Sequence, residues 1–165
     1  MDNPEYTALM QKIIANPADD LPRLVMADWL DDYGQPEHAS FIRVQCEIPN
    51  CTDTHRLIHL NTLQLVLSYN LYNWYPRIHG FYHLLGDDTR TRKLRYTNLL
   101  TVKRGFFAIA QVTMRAWDRY GSLLVRTHPI EKVYSQYSGK FTTDSSNNLS
   151  NYLIRKAWGE NNVMV

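Results

Sequence analysis

Two histidine pairs recur at a spacing of four residues, His55 with His59 and His79 with His83. On a helix that spacing brings both rings to one face, where they can share a transition metal. Cys46 and Cys51 add two thiols close by in sequence. Against a zinc centre, neither pair encloses the Glu of a metalloprotease helix, Gly80 interrupts the second pair, and no Cys-x-x-Cys spacing exists. No metal and no cofactor are therefore expected. No hydroxyl or thiol sits in a nucleophile elbow, and none of the seven glycines forms a phosphate-cradling loop. Cys46 falls on the apolar side of an expected helix, where a thiol acts as a small hydrophobe. The residue types point away from an enzyme.

Charged residues offer two further sites. Asp28 lies three and four positions from Val25 and Leu24, inside what reads as an apolar stripe. A carboxylate there must be paired, so Asp28 is expected to form a structural polar clasp with Arg23 and Arg43, whose loss would cost about 3 to 5 kcal/mol. A catalytic or metal-binding acid, with Asp31 and Asp32 beside it, is the weaker reading. The second site is basic. Arg90, Arg92, Lys93, Arg95, Lys103 and Arg104 fall within fifteen residues, with Tyr96 and Phe106 among them. Cations hold phosphates and aromatic rings stack on bases, so this strip is the chain's best feature for nucleic acid. Residues 1–60 carry ten acidic and four basic side chains, whereas residues 61–165 carry six and fourteen. The blander expectation is that the strip is solvated or docks on the acidic half.

The elements that must position these residues are marked by the seven prolines, which fall where helices begin or end. Helix 1 is expected over 4–15 with Asn3 as N-cap and Tyr6, Leu9, Ile13 and Ile14 as its stripe. Helix 2 is expected over 21–33, closed by Gly34 in the left-handed region. Helix 3 spans 36–47 and buries Ala39, Ile42 and Cys46. Helix 4 spans 54–75, with Leu57, Leu60, Leu67, Leu71 and Trp74 along one side. After Pro76 the pattern changes to strands over 94–102 and 106–113 around a Lys103-Arg104-Gly105 turn. A helix over 114–126 and a strand over 130–137 complete a β-α-β unit. Residues 138–148 read as a loop, and 149–158 as a helix that caps the exposed sheet edge.

The run from Ile14 to Gln45, IIANPADDLPRLVMADWLDDYGQPEHASFIRVQ, resembles the repeat-companion domain common in planctomycete proteins. The residues in register are Pro22, Arg23, Leu24, Val25, Ala27, Asp28, Trp29, Leu30, Gly34, Phe41, Ile42, Arg43 and Gln45. Trp74, Arg104-Gly105-Phe106, and His128-Pro129 before Ile130 also fit. The resemblance covers about four fifths of the chain. It implies a domain over 1–137, split into a helical subdomain (1–76) and an α/β subdomain (77–137), with 138–165 as loop, helix and tail. It implies no activity. The last β-α-β unit resembles the entry to a leucine-rich-repeat array, since Phe107 and Val133 lie one repeat length apart.

The expected fold is thus α+β, an N-terminal helical bundle packed on a small hairpin and a leucine-rich-repeat-like β-α-β segment. The expected function is non-enzymatic protein binding, as an adaptor, recruitment or inhibitory subunit. Nucleic-acid binding through 90–104, in a defence-type nucleoprotein complex, is the second reading. No stretch approaches the roughly 18 uninterrupted apolar residues of a membrane span. The N-terminal residues lack the flank and core of a secretion signal, so a cytoplasmic location with free thiols is expected.

Overall fold

The computed structural model describes residues 3–75, 99–137, 140–141 and 147–159 of the chain. It is α+β and divides into two compact units, one of which combines the N-terminal helices with the hairpin tip Lys103–Phe106. The tip, expected in the α/β subdomain, therefore belongs with the helices.

In the helical unit, local chemistry sets the boundaries. The α1 helix (Pro4–Ala15) starts where the Asn3 side chain accepts from the Glu5 and Tyr6 N–H groups at 2.8 and 3.3 Å. Those groups have no partner within the helix, so the cap replaces lost water. The α2 helix (Leu21–Asp32) ends in a Schellman turn. Gly34 adopts φ +71°, Gly34 N–H reaches the Asp31 carbonyl, and Gln35 N–H reaches that of Leu30. The α3 helix (Pro36–Glu47) opens on proline, and a 3-10 turn (Ile48–Asn50) follows it. Asp53 caps α4 (Thr54–Ser68) by accepting from His55 and Arg56 N–H.

The expected single helix over 54–75 is broken. At Tyr69 and Asn70 the backbone tightens to bonds three residues back, and Asn70 donates its amide to Glu37 at 2.8 Å. That tether on α3 redirects the chain into a short helix, α5 (Leu71–Trp74). Packing runs α1 on α2, α2 on α3 and α3 on α4. Ile13, Met26, Ala27, Leu30, Ala39, Phe41, Ile42 and Leu60 form the core.

In the second unit, β1 (Leu99–Lys103) and β2 (Phe106–Thr113) are neighbours, and β2 runs parallel to β3 (Lys132–Tyr137) with Ala110 opposite Val133. The crossover is α6 (Met114–Thr127), as a parallel connection requires. The third strand starts at Lys132, with Ile130 buried in the approach loop. A two-residue strand, β4 (Lys140–Phe141), pairs antiparallel with the end of β3 inside the stretch expected to be a loop. The terminal helix, α7 (Asn147–Trp158), covers the start of β3. Ser150 Oγ accepts from the Val133 N–H at 2.8 Å, and the Leu153 carbonyl accepts from Trp117 Nε1 at 3.1 Å. The expected cap on the sheet edge is thus a polar contact as well as an apolar one.

Candidate functional site

Within the helical unit, several buried or part-buried polar side chains meet at the hairpin tip. Arg104 and Gly105 have φ of +50° and +88°, the left-handed pair needed by a two-residue turn between twisted strands. Gly105 lies directly against α3. A Cβ there would stand 2.5 Å from Ile42 Cγ1 and 3.0 Å from Ile42 Cα. Its N–H donates to Gln45 Oε1 and its carbonyl accepts from the Tyr75 hydroxyl, both at 2.9 Å. Phe106 is fully buried, with the Arg23 guanidinium 6.0 Å from its ring centre.

Tyr75 extends this chain of bonds to His38, whose Nε2 lies 2.9 Å from the Tyr75 oxygen. The hydroxyl has one proton, and it is donated to a carbonyl. His38 must therefore be the donor, as a neutral ring protonated at Nε2. The ring stacks on Trp74 at 4.6 Å and 5°, and its buried Nδ1 has no hydrogen-bond partner among the described residues. Burial pushes the His38 pKa down to about 4. This histidine is a structural pin, and its placement explains its burial.

Arg104, expected as a contact for nucleic acid or a partner, is turned inward. It donates to the Ala18 carbonyl, and its Nε lies 3.3 Å from Asp20 Oδ1. The acidic link between α1 and α2 thus holds the one strip guanidinium that the structure describes. Lys103 is exposed at the end of β1. Arg90, Arg92, Lys93, Arg95 and Tyr96, like the pair His79 and His83, lie outside the described residues.

The polar clasp is corrected in the same way. Asp28 does pair with Arg43 at 2.6 Å, and Asp31 shares that guanidinium at 2.7 Å. The cluster is on the surface, however, with the Asp28 side chain 73% exposed. Arg23 lies about 140° away around α2 at 100° per residue, is buried, and donates to the Asp19 carbonyl at 2.7 Å. The true inner face of α2 is Arg23, Met26, Ala27 and Leu30, which leaves Leu24 and Val25 outside. Asp28→Ala should therefore cost about 1 kcal/mol or less, measured by urea denaturation, instead of the larger loss expected for a buried pair.

Cys46 is buried near Asp20, and burial followed by that carboxylate pushes its thiol up to about 12. Cys51 is partly exposed. Under native conditions iodoacetamide should label Cys51 and spare Cys46 until the chain is unfolded, a difference that peptide mass spectrometry reads directly. His55 and His59 are both exposed on α4, and no group of three candidate metal ligands occurs among the described residues.

The surface of this unit also carries exposed apolar side chains. Ile58, Leu65 and Val66 on α4 and Tyr69, its C-cap, have 57 to 77% of their area exposed, within about 100° of arc. Leu60 and Leu67 point the opposite way, into the core. On α2, Leu21, Leu24 and Val25 are likewise exposed. Isolated apolar side chains on a surface need no explanation, but a helix face of four does. Periodicity alone does not separate such a face from a core stripe. Among known proteins, no family model, no curated protein and no solved structure matches this chain.

Proposed function

We propose that this chain is a non-enzymatic protein-binding module of the repeat-companion type, an adaptor or recruitment subunit that meets a partner protein through the outer face of α4. The observation that carries the reading is the exposed row of Ile58, Leu65, Val66 and Tyr69. The only formal charge on that helix is Arg56, whose guanidinium is held by both carboxylate oxygens of Glu47 at 2.7 and 2.9 Å. A face without a formal cation suits protein side chains better than a phosphate backbone. Of the polar groups that catalysis would recruit, His38 bonds to Tyr75 and Arg104 pairs with Asp20, both at the hairpin tip. Among the described residues no helix is long and apolar enough to cross a membrane.

Nucleic-acid binding through 90–104 loses Arg104 to Asp20. Affinity purification from the native host, with and without nuclease, separates the two readings. The wild type should retain a protein that survives nuclease, and the double variant I58S/L65S should lose it. Retention that nuclease abolishes would replace the protein-binding reading with the nucleic-acid one.

A further inference from the structure

The outer face of α2 differs from that of α4 in being two-toned. Leu21, Leu24 and Val25 occupy its first half, and Asp28, Asp31 and Asp32 occupy its second, all exposed. Taking 100° per residue, the six fall within about 120° of arc, opposite the buried Met26 and Leu30. One guanidinium, that of Arg43, serves two of the three carboxylates. The remaining charge sits at the C-terminal end of the helix, where the backbone dipole already favours a cation and no basic residue is supplied.

A second feature borders that acidic end. The Trp29 and Tyr33 rings stack at 4.0 Å, Tyr33 is half exposed, and the Glu5 carboxylate accepts from Trp29 Nε1 at 3.0 Å and from the Tyr33 hydroxyl at 3.3 Å. An aromatic face beside a carboxylate held by neutral donors suits a guanidinium, which can stack and pair at once. Two chemically distinct features along one helix edge therefore ask for the same kind of group.

We infer that the outer face of α2 docks an amphipathic segment of a partner protein, with aliphatic side chains on Leu21, Leu24 and Val25 and arginines over Asp28, Asp32 and the Tyr33–Glu5 corner. The inference rests on the protein-binding reading and adds a second surface to it, separate from α4. Self-association through this face is disfavoured, because two copies would bring like charges together. A nucleic acid is disfavoured for the same reason. The segment is a helix of about three turns, matching the length from Leu21 to Asp32 at 1.5 Å per residue.

The test uses fluorescence anisotropy with the full chain and a synthetic helical peptide carrying leucines at i, i+3 and i+4 and arginines one to two turns later. Its twin has glutamate in place of each arginine. The arginine peptide should bind and the glutamate peptide should not. The double variant L21S/V25S should weaken binding at least about tenfold. D28N/D32N should weaken it less and flatten its salt dependence. Equal binding of both peptides, or arginine-peptide binding untouched by either α2 variant, would overturn the proposal. If I58S/L65S alone weakened the arginine peptide, the α2 site would be lost while the protein-binding reading stood. Circular dichroism melting of each variant shows that binding losses are not losses of fold.

Discussion

Gly105→Ala should destabilise the helical unit by about 3 kcal/mol. Part of the loss is the left-handed backbone, which costs a residue with a Cβ about 1 to 2 kcal/mol. The rest comes from overlap, since the new methyl would meet Ile42 at 2.5 Å from its Cγ1 and 3.0 Å from its Cα. Backbone cannot swing aside as a side-chain end can, so the tip must lift away and strain its bonds to Gln45 and Tyr75. Gly34 provides the internal control. It has a similar φ of +71°, but nothing lies within 4 Å of its missing Cβ, so Gly34→Ala should cost only the backbone share. Urea denaturation of both variants checks this. Equal losses would mean that the tip is not seated against α3.

Acid should weaken the same seat through His38. The folded-state pKa is about 4, whereas an exposed histidine titrates near 6.5. Between those values the unfolded chain binds the extra proton and the folded chain does not, so stability falls as pH falls. The contribution is fully present above about pH 6.5. It declines by about 1.4 kcal/mol per unit below that, for about 3 kcal/mol in all by pH 4. The cause is burial: an imidazolium would carry a second proton, on Nδ1, which has no hydrogen-bond partner among the described residues. His38→Gln keeps an N–H donor for Tyr75 and removes the titration. Denaturation midpoints from pH 7 to 5 should slope for the wild type and lie much flatter for the variant. Parallel slopes would assign the acid sensitivity to other groups.

The boundaries of the helices were legible because they are local. Asn3, Pro36 and Gly34 act on backbone groups within a few residues, so their types predict their roles. The parallel β-α-β unit was legible for a similar reason, through alternation and a single crossover. What the sequence hid was phase. Leu24 and Val25 read as core because they are apolar, yet Arg23 is the residue α2 buries, with its guanidinium near Phe106 and bonded to Asp19. A long cation that carries its own hydrogen bonds inward defeats a count of apolar residues. The break at Asn70 was hidden because its cause, Glu37, is 33 residues away. The pin formed by His38, Tyr75 and Gly105 was hidden in the same way, since no spacing rule links three residues that far apart. The strand Lys140–Phe141 is two residues long and sits in a polar stretch, so it carries no alternation to read.

Arg104 shows how this bears on function. In sequence it belongs to a basic strip, and in space it belongs to Asp20 and the Ala18 carbonyl. In the proposed reading the surface offered to a partner is the exposed apolar row on α4, which composition alone had not singled out.

The most direct test of that assignment is the unfolding free energy of I58S/L65S in urea. If the outer face of α4 is surface kept for a partner, each exposed substitution should change stability by no more than about 0.5 kcal/mol, and the double variant should fold like the wild type. A loss of about 3 kcal/mol or more would show that Ile58 and Leu65 belong to the folding core and would contradict the proposed binding face.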